Sequence, residues 1–211
     1  MINIEFGKLT FTVNDSNMIA LRKCYGYDYL ESKHGQGSFA ICEFDIAGGS
    51  TSGKNRSYGT EVTSALRYAG HTIDNGVLTI VQRSDIAEVT TTFTSYPDTD
   101  AVRVVNNIKN ISSEDMCLEL ANTIGLHFGG DLLSENKDWY LHRFTNFRYA
   151  EAMPDVRSLY DMGMYWVNAV VHVENVGNAS SLENLPQAII ENRKSGDFPD
   201  VPDRILRLMV L

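Results

Sequence analysis

The stretch from Trp139 to Glu151 holds the densest group of aromatic and hydrogen-bonding side chains in the chain. It reads Trp-Tyr-Leu-His-Arg-Phe-Thr-Asn-Phe-Arg-Tyr-Ala-Glu. Aromatic faces with neighbouring polar groups suit the C–H faces and hydroxyls of sugars. The same alternation is also typical of a strand that buries one face and turns Arg143 and Arg148 to solvent. Trp139 and Tyr140 are therefore candidates for stacking on a sugar. The alternative is that the aromatic residues of this stretch only form the buried face of a strand.

Carboxylates that could cleave a glycosidic bond follow in the same region, at Glu151, Asp155 and Asp161. Both stereochemical routes of glycoside hydrolysis need two carboxylates at a defined separation, which the sequence does not supply. Acidic surface residues are common in a chain with 27 Asp and Glu. We predict no catalytic residue within this chain.

Metal and cofactor sites are also not predicted. The five histidines lack the His-x-x-x-His or His-x-His spacing that sets two imidazoles towards one metal. No nucleophile elbow and no dinucleotide-binding glycine motif is present. The polar stretch from Gly48 to Gly59 includes Gly-Gly-Ser-Thr-Ser-Gly-Lys, but Asn55 stands where a phosphate loop needs Ser or Thr, so we interpret it as a surface loop.

The formal net charge of -9 opposes binding to nucleic acid and to anionic lipid. The first residues show no export signal, and no run of 18 apolar residues occurs. The three cysteines, Cys24, Cys42 and Cys117, are widely separated, as expected for reduced thiols. We therefore expect a cytoplasmic protein that binds neither nucleic acid nor membranes.

These candidate residues would be positioned by β-strands. From Ala87 to Thr94 the chain alternates, which places Ala87, Val89, Thr91 and Phe93 on one face. Further β-rich runs are predicted at Ile4–Val13, Phe39–Ile46, Val77–Gln82, Ala101–Ile108, Met116–Ile124, Tyr140–Tyr149 and Tyr165–Val173. The pattern predicts an all-β, antiparallel β-sandwich with few or no helices.

Turn-forming clusters separate most of these runs, and the Asn75-Gly76 pair is the strongest hairpin signal. The 211 residues suffice for one large domain, which we place at residues 1–194. In residues 195–211, Pro199 and Pro202 precede an apolar end. This segment is divergent, with truncation as one explanation, and we expect it to pack against another surface.

From about Gly48 to Asn192 the order of features resembles the amino-terminal β-supersandwich of the α-galactosidases, glycoside hydrolase family thirty-six, a galactose-mutarotase-like fold. The resemblance rests on Ala65–His71, Leu78–Gln82 and Val102–Ser112. It continues through Trp139, Asn146, Glu151, Leu159 and Gly163, and then Ser180–Asn192. After Asn192 the family's tryptophan-rich strand is replaced by Asp197-Phe198-Pro199-Asp200.

The resemblance implies a non-catalytic amino-terminal domain that supports assembly and the rim of a galactose pocket. The catalytic aspartates of such enzymes lie in a following (β/α)8 barrel of about 250 residues, which this chain cannot also contain. By position, the rim loop would be Gly53–Tyr58, with Lys54, Asn55, Arg56 and Tyr58 as candidates. The implied partners are a galactose-containing oligosaccharide and a barrel domain or another copy of the chain.

Two other functions remain open. The first is a free-standing carbohydrate-binding module that uses Trp139, Tyr140 and Tyr58. The second is an aldose-mutarotase-like enzyme, for which His142, His172 and Glu151 are the only available acid and base trio.

Overall fold

The fold is built from antiparallel β-strands, as the sequence predicts. The structure is a computed structural model that describes residues 1–25, 27–28, 41–48, 60–125, 137–147, 150–163, 184–193 and 205–209. Within these ranges it has one helix, α1 at Glu61–Ser64. The chain divides into two compact units, with Met1–Glu31 and Gly35–His127 in unit 1, and Ser32–His34 and Phe128–Leu211 in unit 2.

Of the strands in the described ranges, the first ten belong to unit 1. They are β1 Ile2–Phe6, β2 Leu9–Val13, β3 Ile19–Cys24, β4 Tyr27–Asp28, β5 Phe44–Ile46, β6 Arg67–Asp74, β7 Val77–Arg83, β8 Ala87–Ser95, β9 Val102–Asn110 and β10 Leu118–Ala121. They form two four-stranded sheets, in the orders β1-β2-β3-β4 and β6-β7-β8-β9, and a two-stranded sheet of β10 and β5.

The alternation predicted for β8 is confirmed. Ala87, Val89, Thr91 and Phe93 are all fully buried, whereas the residues between them are only partly covered. Strand β8 lies between β7 and β9 in its sheet, and Ala87 and Val89 on its buried face belong to a core cluster that includes Phe44 and Leu66. An alternating sequence therefore produced a strand with one core face, as the pleat requires.

The predicted Asn75-Gly76 hairpin is also present. It joins β6 to β7, with Asp74 opposite Val77. Both turn residues have positive φ, 46° at Asn75 and 74° at Gly76. This is the backbone that a two-residue turn between twisted strands favours, and Asn and Gly adopt it at least strain.

Two sheets of unit 1 touch through aromatic rings. Phe11 of β2 and Phe93 of β8 are fully buried, and their ring centroids lie 4.9 Å apart at an interplanar angle of 55°. Tilted rings at this distance are a favourable arrangement. The contact ties the β1-to-β4 sheet to the β6-to-β9 sheet, while the complete sandwich arrangement stays a prediction.

Unit 2 contains the remaining strands, β11 Trp139–Phe147, β12 Ala150–Ser158, β13 Asn184–Asn192 and β14 Ile205–Met209. They form one antiparallel sheet in the order β12-β11-β13-β14. Strand β14 lies in the segment that we expected to pack against another surface, and it pairs with β13 from Gln187 to Glu191. The domain boundary predicted after residue 194 stays a prediction.

Some elements differ from the predicted runs. The run Ile4–Val13 is two strands, because Gly7 turns the chain with a φ of 57° and Phe6 then pairs with Leu9. Six strands have no counterpart among the predicted runs, namely β3, β4, β6, β12, β13 and β14, and β12 and β13 each contain a proline. Pro186 falls where the pairing of β11 with β13 is irregular, between Arg143 and Thr145, and a proline is tolerated at such a bulge. The predicted run Tyr165–Val173 lies outside the described residues.

Candidate functional site

The residues that could carry chemistry meet on one face of the sheet of unit 2. Tyr140 on β11 lies directly opposite Glu191 on β13. Directly opposed residues share a face of the sheet, and His142 shares it too because it is two residues beyond Tyr140. Arg193 follows the end of β13, where its N–H donates to the carbonyl of Asp138 at 2.8 Å. We call Tyr140, His142, Glu191 and Arg193 the Tyr140 cluster.

The carboxylate of Glu191 is at the centre of this cluster. One of its oxygens, Oε2, lies 2.9 Å from Nε2 of His142 and accepts a hydrogen bond from Nε of Arg193 at 2.9 Å. Burial raises the pKa of the Glu191 carboxyl, but the hydrogen bonds and charges of His142 and Arg193 outweigh this. The resulting pKa lies below the ordinary 4.5. Glu191 is therefore a charged acceptor at neutral pH.

The ring of Tyr140 supplies the apolar surface of the cluster. The guanidinium carbon of Arg193 lies 3.9 Å from the ring centroid, a cation–π contact. The side chains of His142 and Glu191 are partly exposed, and that of Arg193 is 46% exposed. An aromatic ring, an acceptor and a guanidinium donor thus lie together within reach of solvent, a combination that can bind a polyhydroxylated ligand.

Trp139, the other stacking candidate of this strand, is placed differently. It is only 8% exposed. It shares a face of the sheet with Leu141, which is opposite Ile190 on β13. Both of these residues are buried, so Trp139 lies on the packed face, and the structure does not bring it together with Tyr140.

The remaining predicted rim residues, Lys54, Asn55, Arg56 and Tyr58, lie outside the described residues. The same holds for His172 and for the side chain of Glu151. The trio suggested for a mutarotase-like enzyme is therefore represented only by His142, whose described neighbour is Glu191 rather than Glu151.

Asp155 and Asp161, the other acids considered for catalysis, are each engaged locally. Asp155 accepts from Nη2 of Arg143 at 2.7 Å and from Nε of Arg157 at 2.8 Å. Burial raises the pKa of the Asp155 carboxyl, but the hydrogen bonds and charges of the two arginines lower it by more. The resulting pKa lies below the ordinary 3.8. Asp161 accepts from the hydroxyl of Ser158 at 2.7 Å. A carboxyl held ionised by two guanidinium groups is poorly suited to donate a proton at neutral pH.

The sequence does not predict Glu191 and Arg193 as site residues, for a physical reason. The pairing that places Glu191 beside Tyr140 joins positions 51 residues apart, and no local period reports such a contact. The only local signal was the spacing of two between Glu191 and Arg193, which puts both on one side of an extended strand.

Metal sites, membrane-spanning helices and reactive cysteines are the other features considered, within the described parts of the chain. There, no group of three or more His, Cys, Asp or Glu residues is arranged to hold a metal ion. Within the same ranges, no helix has the length and apolar character needed to cross a membrane. Cys24 and Cys42 are buried free thiols, and burial raises the pKa of each to about 12.

In comparisons with known proteins, no family model, no curated protein and no solved structure matches the chain.

Proposed function

We propose that this chain is a non-catalytic carbohydrate-binding β-domain of the α-galactosidase type, and that galactose-containing oligosaccharides contact the Tyr140 cluster. The observation that carries the proposal is the group formed by the Tyr140 ring, the Glu191 carboxylate and the Arg193 guanidinium on one accessible sheet face. Sugars present both C–H faces and hydroxyls, and this cluster offers a partner to each.

The sequence resemblance to the α-galactosidase amino-terminal domain supports the same proposal. Trp139, Asn146 and Ser180–Asn192 carry much of that resemblance; Trp139 and Asn146 belong to β11, and Asn184–Asn192 form β13. These two strands also supply Tyr140, His142 and Glu191. In the proposed role, a separate (β/α)8 domain performs hydrolysis, and the protein acts in cytoplasmic carbohydrate metabolism.

Calorimetric titration with galactose, melibiose and raffinose tests sugar binding. We expect binding at millimolar sugar, as for a small and exposed site, and loss of binding in Tyr140→Ala. Tyr96→Ala is the matched control, because Tyr96 is an exposed tyrosine of unit 1. Absence of binding to the wild-type chain at tens of millimolar sugar would overturn the proposal, as would equal effects of the two variants.

Hydrolysis of a chromogenic α-galactoside tests the non-catalytic part separately. We expect no turnover by the purified chain. Turnover that persists through purification and is abolished by Glu191→Gln would contradict this part, while leaving sugar binding in place.

A mutarotase-like activity is a second candidate, because Nε2 of His142 lies 2.9 Å from a carboxylate oxygen of Glu191. Such a pair can give and accept a proton during anomer interconversion. Polarimetry with freshly dissolved α-galactose distinguishes this function. An acceleration that both His142→Gln and Glu191→Gln remove would favour it over simple binding.

A further inference from the structure

Among the described strands, β6 is an edge strand of the β6-β7-β8-β9 sheet, and β7 is its only neighbour. Asp74 and Val77 flank the two-residue turn, where the flanking residues exchange backbone hydrogen bonds. Counting back from Asp74, the backbone groups of Thr72 also face β7. Those of His71 and Ile73 therefore point away from the sheet.

The start of this edge is already covered. The N–H of Tyr68 donates to the carbonyl of Asn17 at 2.7 Å, and Nδ2 of Asn17 donates to the carbonyl of Tyr68 at 2.8 Å. Asn17 thus occupies the place of an added strand beside Tyr68. Across the described ranges, no backbone group continues this pairing along Gly70–Asp74.

Ile73 makes the uncovered part of the edge apolar. It lies opposite Leu78, which is fully buried, so both are on the core face of the sheet. Ile73 is nevertheless 51% exposed. Unpaired backbone groups beside an exposed apolar side chain form a template for pairing with another strand.

The charges of β6 favour a second copy of the same chain as the partner. Arg67 begins the strand and Asp74 ends it, so its formal charge is balanced within a chain of net charge -9. Repulsion between two copies is therefore weak along this edge. Within Gly70–Asp74 the one formal charge is Asp74, with His neutral, and antiparallel pairing places the two Asp74 carboxylates at opposite ends of the paired segment.

We propose that two copies of the chain associate through antiparallel pairing of their β6 edges, with Thr72 at the two-fold axis. His71 of each copy then pairs with Ile73 of the second copy, which forms about four backbone hydrogen bonds. Thr72 faces its own counterpart, and Gly70 faces Asp74. Asn17 stops the pairing before Tyr68, so the interface is small, and the expected dissociation constant lies between about 10 µM and 1 mM.

Sedimentation equilibrium of the full chain, up to about 1 mM, tests the association. We expect a monomer–dimer equilibrium that Thr72→Lys weakens at least tenfold, because two lysines would meet at the axis. Val105→Lys is the matched control: Val105 is 44% exposed on β9, the opposite edge of the same sheet, and the substitution adds the same charge. We expect it to leave the equilibrium unchanged.

Ile73→Pro provides a second test, since it removes an outward-facing N–H that the sheet of one copy does not use. We expect a folded monomer, with folding checked by the urea midpoint. If this variant does not fold, the effect of Thr72→Lys on the monomer–dimer equilibrium tests the proposal alone. A monomer at 1 mM, or a dimer that both β6 substitutions leave intact, would overturn the proposal.

Disulfide cross-linking tests the register. In a chain carrying Cys117→Ser, which removes the exposed thiol, Thr72→Cys should form a disulfide dimer on mild oxidation. Directly opposed residues of antiparallel strands have Cβ atoms about 4.5–5.5 Å apart, close to the separation that a disulfide needs. Val105→Cys in the same background should cross-link far more slowly, and equal rates would contradict the register.

Discussion

The guanidinium carbon of Arg193 lies 3.9 Å from the centre of the Tyr140 ring, and Nε of the same arginine donates to Glu191. Arg193 thereby connects the aromatic and the acidic parts of the Tyr140 cluster. It also covers one side of the Tyr140 ring, so a ligand that stacks on that side must displace it.

A double-mutant cycle of Tyr140→Ala and Arg193→Ala should measure this contact. For a cation–π pair at a partly exposed site we expect a coupling free energy of about 0.5–1 kcal/mol. The measurement is urea unfolding followed by tryptophan fluorescence, because both tryptophans, Trp139 and Trp166, belong to the unit 2 part of the chain. Additive effects of the two substitutions would show that the contact contributes nothing to stability.

The stability of unit 2 should fall with acid in a way that depends on Glu191. Its folded-state pKa lies below the ordinary 4.5, so its ionised form stabilises the fold above the unfolded-state pKa. This stabilisation is lost as the pH falls through the folded-state pKa. We expect the unfolding free energy of the wild type to decrease more steeply than that of Glu191→Gln between about pH 5 and pH 3.

Asp98→Asn is the control for this pH dependence, because it removes an exposed carboxylate from unit 1. It should leave the tryptophan-detected slope unchanged. Parallel curves for the wild type and Glu191→Gln would contradict the assignment of the acid-sensitive group.

The contact between Phe11 and Phe93 should matter strongly for unit 1. Phe93→Ala removes a fully buried ring, and we expect a loss of about 3–5 kcal/mol in unfolding free energy. A cycle with Phe11→Ala should give a coupling of about 0.5–1.5 kcal/mol, as for other aromatic pairs. Urea unfolding followed by far-ultraviolet circular dichroism measures both quantities, and a zero coupling would argue against contact between these two sheets.

The turn between β6 and β7 gives a further prediction. Gly76→Ala should destabilise unit 1 by about 1–2 kcal/mol, because φ at this position is +74°. The added Cβ would also lie 3.1 Å from Oγ of Ser95. Asn75→Gly, which keeps a residue suited to positive φ, should change the urea midpoint little, and similar effects of the two variants would refute the conformational explanation.

Local chemistry explains which parts of the fold were predictable. The alternation in β8 and the Asn75-Gly76 turn were predicted correctly, because each depends on backbone geometry within a few residues. Strands β12 and β13 are hard to predict because Pro154 and Pro186 are typical strand breakers. The irregular pairing around each proline joins residues that are distant in the sequence. Tyr140 was predicted as a site residue, whereas its partners Glu191 and Arg193 depend on long-range pairing.

The burial of Cys24 and Cys42 has a practical consequence for labelling. With each thiol pKa near 12, almost none of either residue is thiolate at neutral pH, and the thiolate is the form that reacts with maleimides. Cys117 is exposed. A fluorophore or spin label added to the native, unmodified chain should therefore attach at Cys117, a single reporter position just before β10.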